Sequence, residues 1–76
     1  MELESFIQNL ASQFEDINSS ELNGRTKFRD IEGWSSLVAF SIIAMVEEYN
    51  VKIKGDDVLK SNTIEELYKI VNSKLH

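Results

Sequence analysis

Apolar residues return at helical spacing in three stretches of this chain, and the long gap between the first two is as informative as the stretches themselves. Leu3, Phe6, Ile7, Leu10, Ala11 and Phe14 fall at i, i+3, i+4, i+7, i+8 and i+11, the stripe of an amphipathic helix. That stripe predicts a first helix from about Glu2 to Glu15, with Glu2 and Glu4 favourably placed at the positive end of its dipole. From Asp16 to Trp34 the period fails, and Asn18, Ser19, Ser20, Asn23 and Gly24 are turn formers. A loop of that length in a compact domain signifies function or a hidden short element. Ser19-Ser20-Glu21-Leu22 suits a single helical turn, and Ile17, Leu22, Phe28 and Ile31 are expected to pin the loop to the core.

The second stretch, Leu37 to Tyr49, is apolar around most of its circumference and is therefore expected to be the central helix, with Asn50 as its C-terminal cap. Val51-Lys52-Ile53-Lys54 alternates briefly but has no partner strand, so it is expected as an extended connector with Val51 and Ile53 turned inward. After Gly55, Asp56 or Asp57 is placed to cap a short helix that ends near Lys60. Thr63-Ile64-Glu65-Glu66 reads as a capping box for a last helix from about Ile64 to Lys74, carrying Leu67, Tyr68, Val71 and Leu75. The expected architecture is all-α: a four-helix bundle over residues 1–76, a single domain with three longer helices, one short one and a long first connection.

Composition removes most chemistry from this frame. The 76 residues contain no cysteine, which excludes disulfides, thiolate metal sites and thiol catalysis. The one histidine is the last residue, His76, so neither a metal cluster nor a nucleophile–imidazole pair can be built on it. A net charge of −5 repels phosphate backbones and anionic membranes, so neither nucleic acid nor membrane is an expected partner. The opening Met1-Glu2-Leu3-Glu4 has no basic, apolar leader, and the expected location is cytoplasmic. Glu47-Glu48, Asp56-Asp57 and Glu65-Glu66 are adjacent pairs whose side chains diverge on a helix, and they suit solvated surface better than a shared acid/base site. No enzymatic constellation is expected.

What remains is Gly33-Trp34-Ser35-Ser36-Leu37, where a turn delivers two serines to the start of the central helix. The unpaired N–H groups and dipole of a helix N-terminus favour an anion, so a phosphodiester on a serine there would be stabilised. The same position suits a plain serine cap, with Trp34 packing back on the helix, and position alone favours the cap. Phosphoserine regulation at Ser36 uses the same electrostatics. A small helical interaction domain without a prosthetic group is the alternative to a carrier of covalent cargo.

The order of landmarks resembles the acyl carrier protein family, whose Asp-Ser-Leu motif opens the second of four helices. Trp34-Ser35-Ser36-Leu37, the apolar helix ending in Glu47-Glu48-Tyr49, Val51-Lys52-Ile53, the short acidic helix and Thr63-Ile64-Glu65-Glu66-Leu67 follow in the family's sequence. The resemblance implies that Ser36 carries 4′-phosphopantetheine derived from coenzyme A, and that an acyl group is held on it as a thioester within the helical core and presented to enzymes of fatty acid, lipid or polyketide metabolism. It also implies a monomeric non-enzyme served by a phosphopantetheinyl transferase and by acyl-activating or acyl-transferring partners. Leu37 and Val38 are expected to offer exposed apolar contacts, and Asp30, Glu32, Glu47, Glu48, Asp56 and Asp57 to meet basic patches on partners. Two departures stand out: Ser35 replaces the usual aspartate, and the interval from Ser36 to Tyr49 is one residue short. Counting from Ser35 restores that interval, which makes Ser35 the second choice for the attachment site.

Overall fold

A computed structural model describes residues 2–75; Met1 and His76, the latter invoked above, lie outside the described residues. The described chain is all-helical, with no strand: α1 (Leu3–Ala11), α2 (Ser36–Glu47), α3 (Gly55–Lys60) and α4 (Ile64–Ser73), of which α3 is the short one. The long connection from α1 to α2 contains two single 3₁₀ turns, Ser19–Glu21 and Phe28–Asp30. The first is the expected turn. The second, which opens on a fully buried Phe28, was not expected from the pattern.

Helix α1 stops earlier than its apolar stripe. The Ser12 hydroxyl donates to the Asn9 carbonyl at 2.6 Å, and the chain tightens into i→i+3 bonds from Gln13 to Leu10 and from Phe14 to Ala11. Side-chain competition for a carbonyl in the last turn ends the helix while Phe14 still reaches the core. Helix α2 runs one residue further back than expected and ends two residues sooner. Asn50, at φ 63°, takes the left-handed conformation that closes the helix and fulfils its expected role.

Val51 and Ile53 are buried from an extended segment, as the alternation implied. The start of α3 differs from expectation. Lys54 occupies the cap position, and Asp57, three residues in, reaches back to accept from the Lys54 N–H at 2.9 Å. At α4, Thr63 Oγ1 accepts from the Glu66 N–H at 3.2 Å, but the Glu66 carboxylate bonds the Asn62 N–H at 2.7 Å instead of closing the box on Thr63.

One apolar cluster joins the elements, drawing Phe6, Leu10 and Phe14 from α1 and its tail, Ile42 and Val46 from α2, Val58 from α3, and Leu67 and Val71 from α4. Phe28 enters this cluster from the loop and stacks obliquely on Trp34, with ring centroids 5.4 Å apart. Ile17, Leu22 and Ile31 are half-buried against it. Arg29 then ties the loop to the far end of α3, donating to the Leu59 carbonyl and the Asn62 amide oxygen, each at 2.8 Å. The long connection is therefore pinned by apolar burial at one point and by a guanidinium at the next. Among the described residues no helix is long and apolar enough to cross a membrane.

Candidate functional site

The start of α2 is built by the turn before it. Gly33 takes φ 96°, a backbone state that side chains resist, and the Trp34 N–H closes the turn on the Ile31 carbonyl at 3.1 Å. This reversal lays Trp34 against Phe28 and Phe14, the latter with centroids 6.4 Å apart. With Trp34 anchored, the chain leaves in an extended conformation through Ser35, whose φ and ψ are −160° and 172°.

The two serines then part company. Ser35 is the helix cap: its Oγ accepts from the Val38 N–H at 3.3 Å, and its carbonyl accepts from the Ala39 N–H at 3.0 Å. Ser35 also lines a groove of about 490 Å³ between the end of α1 and the start of α2, together with Phe14, Ile17, Glu32 and Val38. Ser36 is the first helical residue, lies exposed, and makes no side-chain hydrogen bond to the described residues. The backbone N–H groups of Ser36 and Leu37 likewise find no acceptor among the described residues. The first turn of α2 contains no acid.

A free hydroxyl thus sits beside two free amide donors at the positive end of a helix dipole. An anionic phosphodiester suits this surrounding: it meets donors, and no carboxylate in that turn opposes it. Ser35 has less freedom, because its oxygen already serves the helix.

The other residues marked by sequence are distributed unevenly. Leu37 is 78% exposed, but Val38 is half-buried against the core and offers only part of its surface. Glu47 and Glu48 are exposed at the opposite end of α2 from the serines. Asp30, Glu32 and Asp56 are exposed, whereas Asp57 is engaged by the Lys54 N–H and by Lys74 Nζ at 3.4 Å. The Lys54 N–H first, and then Lys74 and Lys60, hold the Asp57 carboxyl below its ordinary pKa, against a smaller opposing effect of desolvation. Among the described residues no cluster of three or more metal-ligating side chains forms.

Sequence reasoning overlooked Phe40, which is 68% exposed. The signal was available: Ile42, Met45 and Val46 define the buried side of α2, and at about 100° per residue Phe40 falls opposite them, on the side of Ser36 and Leu37.

A small all-helical bundle with an exposed serine at the first position of its central helix is the arrangement found here. The chain matches the family model described as "Phosphopantetheine attachment site" over residues 5–71, and it belongs to that phosphopantetheine-binding carrier family. Members carry covalently attached 4′-phosphopantetheine, and such domains are not themselves catalytic. No curated protein and no solved structure matches the chain.

Proposed function

We propose that residues 1–76 form a single acyl carrier domain in which Ser36 bears the 4′-phosphopantetheine arm, and that it presents an acyl thioester to biosynthetic enzymes. The observation that carries this reading is the contrast between the serines. The Ser36 hydroxyl is exposed and unbonded beside the free N–H groups of Ser36 and Leu37, while the Ser35 oxygen is committed to the Val38 N–H. Once bound, the arm supplies a terminal thiol on which an acyl group can be held. The chain contributes an anchoring oxygen, amide donors for the phosphate, and a helix start kept in register by the Ser35 cap and the Phe28–Trp34 contact. It would act without a catalytic residue of its own. Exposed Glu47, Glu48 and Asp56 suit rapid electrostatic encounter with basic partners, which benefits a carrier that must dock and leave.

The test is to incubate the protein with coenzyme A and several broad-specificity phosphopantetheinyl transferases and to record intact mass. Wild type and Ser35→Ala should gain one phosphopantetheinyl group, and Ser36→Ala none. No gain by the wild type with any transferase would sink the carrier reading. A gain that survives Ser36→Ala and disappears in Ser35→Ala would move the attachment to Ser35.

A further inference from the structure

The groove beside Ser35 is larger than anchoring a phosphate requires. Its volume of about 490 Å³ falls within the range of about 300–1,000 Å³ usual for small-molecule sites. Ser35 and Leu37, the neighbours of Ser36 on either side, both line it, so it opens at the attachment point. The chain that follows α1, from Gln13 to Ile17, forms the facing wall. On the α2 side, Leu37, Ser41 and Val38 line the groove. At about 100° per residue they fall in one sector about 100° wide, and Ser36 stands a single step around the helix from its edge at Leu37.

The lining is mixed. Phe14, Ile17, Leu37 and Val38 supply apolar surface, while Glu15, Asp16 and Glu32 are exposed carboxylates with no ion pair among the described residues. Ser41 is half-buried, and its hydroxyl makes no hydrogen bond to the described residues. No lysine or arginine lines the groove. Such a surface suits a neutral, amphipathic occupant that lays apolar groups on the floor and turns N–H or O–H donors toward the carboxylates. It repels anions, and a second copy carrying −5 is a poor occupant for the same reason. Room inside the bundle would have to be made by displacing Phe6, Leu10, Phe28, Ile42, Val46 or Leu67, all fully buried.

We infer that the groove between the chain after α1 and the first half of α2 holds the pantetheine part of the arm on Ser36, folded back along the outside of the bundle. This rests on the carrier reading above. Pantetheine is neutral and amphipathic, with geminal methyls nearest the phosphate, then a hydroxyl and two amides, then the thiol. Leu37 and Val38, the apolar lining nearest Ser36 in the chain, suit the methyls. Glu15, Asp16 and Glu32 offer acceptors to the amide N–H groups, and the Ser41 hydroxyl offers a donor to an amide carbonyl. The phosphate keeps its place at the N–H groups of Ser36 and Leu37, which find no acceptor among the described residues. The groove thereby keeps the thiol close to the protein until a partner draws the arm out.

Amide and methyl NMR of the apo protein and of the protein loaded from coenzyme A, with loading checked by intact mass, tests this. Loading should shift the signals of Phe14, Ile17 and Ser41 as well as those next to Ser36, and the geminal methyls should give nuclear Overhauser contacts to Ile17. Ser41→Leu narrows the groove; it should gain the same mass, melt within a few degrees of wild type and lose those contacts. Shifts confined to residues 34–38, or contacts that persist undiminished in Ser41→Leu, overturn the inference while the carrier reading stands. Shifts of the same groove residues in the apo protein as its concentration is raised put a second copy there and overturn it too. A wild type that never gains mass overturns both readings.

Discussion

Helices α2 and α4 begin alike and diverge within one turn. Each is capped by a hydroxyl residue in extended conformation, Ser35 and Thr63, whose oxygen accepts from the N–H three residues on. At α4 the remaining donors are also taken: the Ile64 N–H bonds the Thr26 carbonyl at 3.0 Å and the Glu65 N–H bonds the Gly24 carbonyl at 2.8 Å. Glu65 and Glu66 further offset the dipole. At α2 the two equivalent donors, on Ser36 and Leu37, find no acceptor among the described residues and no acid stands in the first turn. The same capping chemistry thus gives one start closed by the fold and one available to something from outside. What separates them is the supply of carbonyls from the long loop, which serves α4 and bypasses α2.

The largest test of that contrast is removal of the two hydroxyls that mark it. Ser36→Ala should abolish transfer of phosphopantetheine while leaving the melting temperature within a few degrees of wild type, whereas Thr63→Ala should leave transfer intact. If both variants load equally, the open helix start has no bearing on attachment. Next in size is the residue that holds the loop in front of both helices. Phe28 is fully buried, and Phe28→Ala should cost about 3–5 kcal/mol in urea unfolding, a large share of the stability of so small a domain. A loss below about 1 kcal/mol would mean that the loop is held by Arg29 and its neighbours and not by the ring.

Smaller again are the caps. Thr63→Ala and Ser35→Ala should each cost about 1 kcal/mol, or roughly 4–8 °C in melting temperature for a domain of this size. Thr63 should be the less sensitive of the two, since the Gly24 and Thr26 carbonyls and the Asn62–Glu66 bond continue to hold the start of α4. Equal losses would show that those extra bonds add nothing to the cap.

The helices were legible because their apolar spacing is a local property, and so were the Asn50 closure and the Thr63 cap. Their ends were less so. Nothing in the stripe from Leu3 to Phe14 shows that the Ser12 hydroxyl takes the Asn9 carbonyl and stops α1 at Ala11. Phe28 and Arg29 were invisible as organisers because each acts across a gap of chain, the ring on Trp34 and the guanidinium on Leu59 and Asn62. At the site, the pair of serines was found from sequence, and the resemblance ranked Ser36 first. The physical reason to prefer it, a cap bond held by Ser35 and donors left free beyond it, needed the fold. Phe40 was lost in a helix apolar on nearly all sides, where only knowledge of the buried face separates core from contact surface.

The smallest effect concerns α3, whose start is braced in a third way while the Gly55 and Asp56 N–H groups find no acceptor among the described residues. It has neither a hydroxyl cap nor borrowed carbonyls at Lys54; the Asp57 carboxylate bends back to the Lys54 N–H and also meets Lys74. Both contacts favour the ionised form and lower its pKa below the ordinary value, so the stabilisation is present above the unfolded-state pKa of about 4. It is lost as pH falls through the lower folded-state value. The pair is partly solvated, and the contribution should be on the order of 0.5 kcal/mol. Asp57→Asn keeps the shape and removes the charge, so it should be slightly less stable than wild type at pH about 7, with the difference shrinking at acid pH as the carboxyl takes up its proton. Urea midpoints at the two pH values measure this. A difference that persists undiminished at low pH would show that the loss in Asp57→Asn does not arise from the carboxylate charge, and that the ionised contacts to Lys54 and Lys74 add nothing to the start of α3.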